Sequence, residues 1–233
     1  MAKFIMFGNQ KGGVGKSQLT VITATALSAD PFNRRVLVSD CDSQKSITHL
    51  RKMDQESGSF DSFNLETETV QGFTMAAKNY DEQFDIVFID AAGKLDTDQQ
   101  VKDQEVVRAM MYTDYLFIPF VQGNFNIESS VDYLKAVQQV RKLRDQSARP
   151  LHVIGMANMF DSRSNSSKYL IDDLRRLQEA TEIKLMNTPL GRYTLHSEAD
   201  TVRSNYSASN SDRSLVNFRE WMDELCEIIN LKR

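Results

Sequence analysis

Apolar positions along the chain fall into two patterns. Five short, mostly apolar runs lie at residues 4–7, 36–39, 84–90, 115–120 and 151–158. Runs of this length are typical of strands buried on both faces of a sheet. Between them, apolar residues recur every three or four positions, which predicts amphipathic helices. Strands that alternate with helices predict an α/β fold: a single doubly wound, mostly parallel sheet with helices on both faces.

The periodic segments predict individual elements. The long segment 127–143 has its charges, among them Arg144 just beyond it, on the face opposite its apolar residues, and we predict a solvated basic face. Residues 94–103 are polar and are expected to be mobile. We find no internal repeat or linker and predict one domain over residues 1–233. Helices are predicted at 19–27, 46–53, 70–80, 105–111, 127–143, 169–180 and 215–231, an edge strand at 60–65 and a short strand at 183–186.

Composition and charge narrow the class of protein. The chain has 233 residues, 41% hydrophobic and 26% charged, which is ordinary for a globular protein. Its formal net charge is −4, so the molecule as a whole does not attract nucleic acid electrostatically. Any DNA binding must therefore come from a local basic patch, which dimerisation could complete.

The cysteines and the absence of targeting signals favour a cytoplasmic location. Cys41 and Cys226 are the two cysteines, far apart and without metal-ligand spacing, as expected in a reducing compartment. The chain starts directly with the first strand, without a signal peptide. No apolar run approaches the roughly 18 residues of a membrane-spanning helix, so we expect no integral membrane segment.

A glycine-rich turn joins the first predicted strand to the first predicted helix. Residues 8–18 read Gly-Asn-Gln-Lys-Gly-Gly-Val-Gly-Lys-Ser-Gln. Backbone N–H groups of such a turn, with the dipole of the following helix, form a phosphate cradle. Lys16 would then reach the β- and γ-phosphates, and the Ser17 hydroxyl would bind Mg²⁺. The alternative is a glycine-rich turn with two unrelated lysines, which the order of strand, loop and helix disfavours.

This loop resembles a known variant of the phosphate-binding loop. The ordinary pattern requires glycine at position 10, which is Gln10 here, whereas Lys11 opens the loop. Lys-Gly-Gly-Val-Gly-Lys-Ser is similar to the deviant Walker A motif of the ParA/MinD ATPase family. The resemblance implies that Lys11 crosses an ATP-sandwiched dimer to the partner's nucleotide. It also implies a nucleotide-binding set of Lys11, Gly12, Gly13, Val14, Gly15, Lys16, Ser17 and Gln18.

Two acidic segments follow predicted strands. Asp40 and Asp42 come after the second strand, at the sheet edge where doubly wound folds bind ligands. The segment is similar to the family's D-x-D-P-Q switch motif, with Ser43 in place of proline. The resemblance implies that Asp42 positions or activates the attacking water. Simple loop acidity is the alternative interpretation.

The strand that ends in Asp90 predicts a metal ligand. A buried strand that closes on an aspartate is typical of a Walker B strand, whose carboxylate holds Mg²⁺ through water. Ala91-Ala92-Gly93 resembles the family's second switch, again without its proline. Such a strand is common by chance, but its place after the loop and the Asp-x-Asp segment makes it more specific.

Residues 158–163 and 190–199 resemble two further family segments. Asn158 stands where the family has threonine or asparagine, and the resemblance implies that its amide reads the adenine edge. The alternative is an asparagine that closes a strand-to-loop turn. Residues 190–199 resemble the family's I-P-R-x-x-x-L-S-E-A segment, with Gly191 in place of proline. We expect His196 there to be a loop or packing residue, because phosphoryl transfer needs no imidazole.

DNA binding has the weakest support in the sequence. The resemblance places DNA-contacting basic residues in the C-terminal part, where the candidates are Arg192, Arg203, Arg213 and Arg219. Leu195 stands where close relatives often have arginine. Each of the four arginines taken singly is more often a solvated surface charge than a phosphate contact.

The resemblance extends over nearly the whole chain and implies a function. It is closest to small ParA-type partition ATPases without an N-terminal helix-turn-helix domain, and implies ATP and Mg²⁺ as cofactors and slow, partner-stimulated ATP hydrolysis (Lys11, Lys16 and Asp42 as catalytic groups). The expected partners are a second copy of the chain, non-specific DNA with nucleoid association, and a ParB-like or cargo adaptor protein. One alternative is a MinD-like or cargo-positioning switch without DNA binding, although no spare membrane-targeting helix is evident. Another is a metabolic relative such as an iron–sulfur carrier or a ligase, which the cysteine spacing and Lys11 disfavour.

Overall fold

The computed structural model describes most of the chain. The described residues are 1–58, 62–93, 105–122, 127–145, 147–181, 183–193, 196, 198, 200–207 and 212–232, with the backbone alone for 127–132. The predicted mobile stretch 94–103 therefore lies outside the described residues. Strands are β1 (Lys3–Phe7), β2 (Val36–Asp40), β3 (Asn64–Thr67), β4 (Ile86–Asp90), β5 (Tyr115–Val121), β6 (His152–Asn158) and β7 (Lys184–Leu185). Helices are α1 (Lys16–Ser28), α2 (Ser46–Glu56), α3 (Val70–Gln83), α4 (Glu105–Tyr112), α5 (Ile127–Arg144), α6 (Asn165–Thr181) and α7 (Arg213–Ile228).

The strands of the described chain form one sheet in the order β3-β2-β4-β1-β5-β6-β7. All pairs are parallel, as the apolar runs predict. The first strand lies in the middle, between β4 and β5, so the chain winds outward in both directions from it. This arrangement confirms the predicted doubly wound α/β fold, and it places a ligand crevice at the carboxyl ends of the central strands.

Alternate residues of each strand enter two separate cores. In β1, Phe4 and Met6 pack under helices α3 to α6, whereas Ile5 and Phe7 pack under α1, α2 and α7. Successive side chains of a strand point to opposite faces, so a strand covered on both faces must be apolar throughout. The largest buried side chain, Trp221 of α7, stacks on Phe7 with ring centroids 6.3 Å apart. Helices therefore cover both faces of the sheet, as predicted.

Element boundaries shift from the predicted ones where polar side chains cap or pair. Strand β3 begins at Asn64, later than predicted, and residues 59–61 of the predicted edge-strand region lie outside the described part of the chain. Helix α7 begins at Arg213, two residues early, because the Asp212 carboxylate accepts a 2.7 Å hydrogen bond from Ser214 N. Helix α6 begins at Asn165, four residues earlier than the apolar periodicity predicts.

The prediction of a solvated basic face on α5 is wrong at the carboxyl-terminal end of the helix. Arg144 is only 6% exposed, and its guanidinium donates to the carboxylate of Asp114 at 3.3 Å and to the backbone oxygen of Thr113. Leu143, predicted to face the core, is 70% exposed. Arginine supplies several donors to buried acceptors at this end of the sheet, so it occupies the inner position that periodicity assigns to leucine. Lys135 and Lys142 remain exposed, as predicted.

A further arginine strengthens the amino-terminal edge of the sheet, away from the ligand crevice. Arg149 pairs with Asp114 and with Asp81 at 3.0 Å, and its guanidinium lies 5.1 Å from the Phe4 ring centroid. The Asp114 carboxylate also accepts a 2.9 Å hydrogen bond from Phe4 N. Charged groups that are this well paired can be buried without large cost, so this cluster has a structural explanation. No helix in the described part of the chain is long and apolar enough to cross a membrane.

Candidate functional site

Four strand ends bring the predicted site residues to one edge of the sheet. Asp40 ends β2 and Asp90 ends β4, and the two residues are direct register partners. The backbone continues this pairing, because Cys41 N donates a 2.7 Å hydrogen bond to Asp90 O. The glycine-rich loop follows the end of β1 on the other side of β4, and Asn158 ends β6. Parallel strands thus gather residues that lie far apart in sequence.

The glycine-rich loop is held in shape at both ends. Asn9 at its start accepts a 3.0 Å hydrogen bond from Lys11 N and donates a 2.9 Å bond to Pro119 O at the end of β5. At the other end, Gly15 has φ +88° and caps α1, which begins at Lys16. That conformation is strained for any residue with a side chain, so glycine is required. The loop therefore presents the free N–H groups of the α1 amino terminus to the crevice, as a phosphate cradle does.

Lys16 lies within the loop and beside the acidic strand ends. Its Nζ donates a 3.2 Å hydrogen bond to the backbone oxygen of Lys11. Burial lowers the pKa of the Lys16 ammonium, whereas the nearby carboxylates of Asp90 and Asp42 raise it. The sequence prediction grouped these three residues, and the structure brings them together. An anionic ligand in the cradle would add a further counter-charge to the partly buried ammonium.

Asp90 has the environment of a metal ligand. It is 1% exposed, and neither carboxylate oxygen has a hydrogen-bond partner among the described residues. Burial raises its pKa to about 7, with Asp40 and Asp42 adding to the effect. The Ser17 hydroxyl lies close enough to lower that pKa, but forms no hydrogen bond of normal geometry with Asp90. Buried carboxylates without partners are rare in folded proteins, and a bound ion is one of the arrangements that would satisfy such a group. Asp90 and Ser17 therefore fit a Mg²⁺ site.

The two aspartates of the Asp-x-Asp segment differ in their surroundings. Asp40 is fully buried, and one of its oxygens accepts hydrogen bonds from Thr48 N at 2.9 Å and Thr48 Oγ1 at 2.7 Å. Asp42 is half-buried and accepts a 2.9 Å bond from Gln44 N. Asp40 thus anchors α2, whereas Asp42 remains within reach of the crevice. Thr48 had no motif to mark it in the sequence.

The segment after Asp90 approaches the loop very closely. A Cβ atom placed on Gly93 would lie 1.7 Å from Asn9 O, so only glycine fits there. This contact joins the predicted second switch to the start of the phosphate loop. The two segments are therefore packed backbone against backbone at this point.

Asn158 contacts the loop directly. Its Nδ2 donates a 2.9 Å hydrogen bond to Val14 O. A Cβ atom placed on Gly15 would lie 2.8 Å from Asn158 Nδ2. Asn158 also lines a cavity of about 540 Å³ beside α1, together with Gln18, Leu19, Arg192 and His196. Such a cavity is large enough for a nucleotide base and part of its sugar. The predicted adenine contact stays a prediction: the Asn158 amide has a second N–H donor and an oxygen acceptor beyond the bond to Val14 O.

His196 forms part of the wall of this cavity. The residue is 6% exposed, and its ring centroid lies 5.5 Å from that of Phe218. Neither ring nitrogen has a hydrogen-bond partner within the described structure. Burial lowers its pKa to about 4, so the imidazole is neutral at physiological pH. Gln18 of the predicted nucleotide-binding set donates from Nε2 to the His196 backbone oxygen. The packing role predicted for His196 matches this environment.

The four candidate DNA-binding arginines have different local surroundings. Arg192 lines one cavity and Arg213 lines another, and Tyr193 lines both. Arg203 lies 4.0 Å from Asp200, and Arg219 donates a 3.0 Å hydrogen bond to Tyr206 O. Two of the four arginines therefore already have intramolecular partners. Leu195, Ser197 and Ala199 of the adjoining segment lie outside the described residues.

Comparison with known proteins agrees with this geometry. A family model described as the CobQ/CobB/MinD/ParA nucleotide binding domain matches residues 5–200. No curated protein sequence matches the chain.

Three solved structures illustrate the shared fold. Cobyrinic acid a,c-diamide synthase from Mycobacterium smegmatis has a TM-score of 0.67 at 15% identity, over 100% of this chain and 97% of that chain. A complex of a Cyanothece McdA variant with ATP has a TM-score of 0.66 at 13% identity, over 100% and 98%. A plasmid partition protein from Borrelia burgdorferi has a TM-score of 0.61 at 20% identity, over 98% and 98%. At these identities the similarity shows the fold alone.

Proposed function

Because this chain belongs to the CobQ/CobB/MinD/ParA nucleotide-binding family, we propose that it is an ATPase of the ParA type. In this proposal ATP and Mg²⁺ drive a dimer switch that binds non-specific DNA and positions a plasmid, chromosome region, mobile element or other cargo. Solved relatives of the same fold were crystallised with ADP or an ATP analogue and magnesium, and with ATP.

One observation carries the ATPase part of the proposal. The buried carboxylate of Asp90, which has no hydrogen-bond partner among the described residues, lies at the same sheet edge as Ser17, Lys16 and the amides of the α1 amino terminus. A cation site beside an anion-binding cradle is the arrangement that a nucleoside triphosphate with Mg²⁺ requires. A glycine-rich turn with unrelated lysines would leave that carboxylate unexplained.

The residues of this chain then take distinct roles. The loop amides from Gly12 to Ser17 and the Lys16 ammonium bind and orient the β- and γ-phosphates. Asp42, half-buried and held by Gln44 N, orients the attacking water in line with the γ-phosphate. Such catalysis depends on positioning and charge stabilisation, and little covalent chemistry is needed.

Magnesium fits beside these residues. Ser17 and Asp90 would hold it, and the ion would neutralise charge on the β- and γ-phosphate oxygens. Asp40, whose carboxylate accepts a hydrogen bond from Thr48, would lie next to the site without binding the ion directly.

Lys11 distinguishes this loop from an ordinary phosphate loop. We propose that its side chain enters the nucleotide site of a partner subunit and neutralises phosphate charge there. Within its own chain, Lys11 N donates to the Asn9 side chain and Lys11 O accepts from Lys16 Nζ, so these two contacts hold the loop backbone at Lys11. An ATP-dependent homodimer follows, and a ParB-like or cargo adaptor protein would stimulate its hydrolysis.

DNA binding is tested by measuring affinity for random-sequence duplex DNA with ATP, ADP or no nucleotide across a salt series. We expect binding with ATP alone, and a log–log salt slope of roughly 0.9 per phosphate contacted. The variant R192A/R213A should reduce that slope, whereas R176A on the exposed surface of α6 should not. Binding that ignores the nucleotide, or no binding at all, would contradict the DNA part of the proposal.

A second candidate function has support from the arginines. Arg203 and Arg219 have partners within the chain, and the net charge is negative, so the dimer switch could serve a protein or membrane partner in place of DNA. Intact ATP hydrolysis without DNA binding, together with binding to anionic liposomes or to a copurified adaptor, would identify this function.

ATP hydrolysis that requires a carboxylic acid acceptor and ammonia would instead identify a ligase.

A further inference from the structure

We propose that Lys45 is a positioning residue that holds the Asp40–Lys45 segment in its active conformation. The inference rests on the proposed ATPase function, because the segment contains Asp42. The clamp is its pair of hydrogen bonds to backbone oxygens on either side of the segment.

The geometry of the clamp is tight. Lys45 Nζ donates 2.6 Å hydrogen bonds to the backbone oxygens of Asp40 and Glu68. Asp40 ends β2 and Glu68 directly follows β3, which pairs with β2. The Lys45 ammonium thus links the ends of two neighbouring strands, and Lys45 is itself the last residue of the Asp40–Lys45 segment. Hydrogen bonds from a charged donor in a partly buried site are among the stronger ones in proteins.

The acceptor at Glu68 is itself fixed. Its carboxylate accepts a 2.8 Å hydrogen bond from Ser39 Oγ and a 3.1 Å bond from Tyr80 OH. Ser39 lies in β2 and Tyr80 in α3, so Glu68 is tied to the body of the fold. Lys45 is therefore anchored on a rigid partner and can transmit that rigidity to the segment.

Asp42 lies inside the closed segment. Lys45 N donates a 3.0 Å hydrogen bond to Asp42 O, and Gln44 N binds the Asp42 carboxylate. The segment between Asp40 O and Lys45 Nζ thus forms a ring of non-covalent contacts around Asp42. Ser43 occupies the position where the family resemblance leads us to expect the rigid proline. The Lys45 clamp restricts the same backbone by other means.

The backbone of Lys45 supports this interpretation. Its φ is +49°, in the left-handed region, which a residue with a side chain adopts at a cost that glycine avoids. A lysine in that conformation needs a compensating interaction, and the two short hydrogen bonds provide one. Glycine would adopt the same backbone without strain, but could not form the clamp.

Two variants separate the clamp from the backbone conformation. Lys45→Met keeps the length of the side chain and removes both hydrogen bonds, and Lys45→Gly removes the clamp while relieving the strain at φ +49°. Lys52→Met, at an exposed lysine in the helix that follows, is the matched control. For each variant we would measure ATP affinity, kcat, and hydrogen exchange at the amides of residues 41–48.

The expected result is a loss of turnover without a loss of binding. Both Lys45 variants should lower kcat about tenfold or more, because a small misplacement of a catalytic group costs one to two orders of magnitude. ATP affinity should stay within about twofold of the wild type, and exchange should accelerate at residues 41–48 alone. Lys52→Met should change none of these quantities.

Two results would overturn the inference. Wild-type kcat in Lys45→Gly would mean that the backbone conformation alone positions Asp42. Unchanged exchange at residues 41–48 in both variants would mean that no clamp exists. A wild-type chain that binds ATP but never hydrolyses it would overturn the proposed function instead, since exchange still measures the clamp independently.

Discussion

Asn158, at the end of β6, donates a 2.9 Å hydrogen bond to the backbone oxygen of Val14 in the phosphate loop. The two residues are 144 positions apart in the sequence, and the bond is buried. A buried strand end thus supports the loop from the side of the cavity. Asn158 can serve the nucleotide in two ways, either by shaping the loop or by reading the base.

Removing this bond should weaken ATP binding. In Asn158→Ala we expect about five- to tenfold lower affinity, as for the loss of one buried hydrogen bond worth about 1 kcal/mol. Asn158→Asp should bind still more weakly, because a carboxylate would face the Val14 carbonyl. Titration with fluorescent ATP and GTP analogues gives the measurement, with Asn64→Ala on the exposed edge strand as control. Equal losses for ATP and GTP favour loop support, whereas a loss for ATP alone favours base recognition.

Replacement of Asp90 should separate stability from function. Asp90→Asn removes a buried carboxylate that has no hydrogen-bond partner in the described part of the chain, so the nucleotide-free protein should gain about 1 kcal/mol or more of unfolding free energy. Magnesium-dependent ATP hydrolysis should disappear in the same variant. Urea unfolding and an ATPase assay check the two effects, and Asp42→Asn, at a half-buried carboxylate, should not gain stability. A destabilised Asp90→Asn would contradict the metal-ligand interpretation.

The two loop lysines should fail in different ways. Lys16→Ala should abolish nucleotide binding, because the ammonium lies inside the loop beside the acidic strand ends. Lys11→Ala should spare binding and lose the ATP-dependent dimer. Isothermal titration and analytical ultracentrifugation with ATP and ADP measure these effects. A Lys11→Ala variant that dimerises and hydrolyses normally would show that the deviant-loop interpretation is wrong.

Burial of His196 should make stability depend on pH. Its pKa is lowered from 6.5 to about 4, so the unfolded chain binds a proton at higher pH than the folded chain does. Stability from this group is therefore complete above about pH 6.5 and is lost as pH falls toward 4, by up to about 3 kcal/mol. His196→Phe, which suits the aromatic surroundings, should flatten this acid limb in urea unfolding curves. His49→Gln, at an exposed histidine, should leave it unchanged, and an identical acid limb in both variants would contradict the assignment.

Much of the fold and part of the site follow from local sequence. The apolar runs are short and nearly continuous, so they predict buried parallel strands without knowledge of their neighbours. The phosphate loop is contiguous with its strand and helix, which is why Lys16 and Ser17 are evident from their spacing alone. Asp90 is also evident, because it directly ends a buried strand.

Other features depend on contacts between distant parts of the chain. Periodicity placed Arg144 on the solvated face of α5. The Asp114 carboxylate and the Thr113 backbone oxygen, however, are buried acceptors that bind its guanidinium inside the fold. Lys45 had no motif, because its partner Glu68 O lies beyond the end of β3, which only the pairing of β2 with β3 brings near.

The sequence by itself determined the strand–loop–helix unit, the class of fold and the place of the glycine-rich loop, because these depend on neighbours in the chain. Only the tertiary structure decided that Asp90 has no partner among the described residues, that Asn158 supports the loop and that two of the candidate arginines are engaged. Those properties are set by burial and by hydrogen bonds between strand ends, which come together only when the parallel sheet has formed.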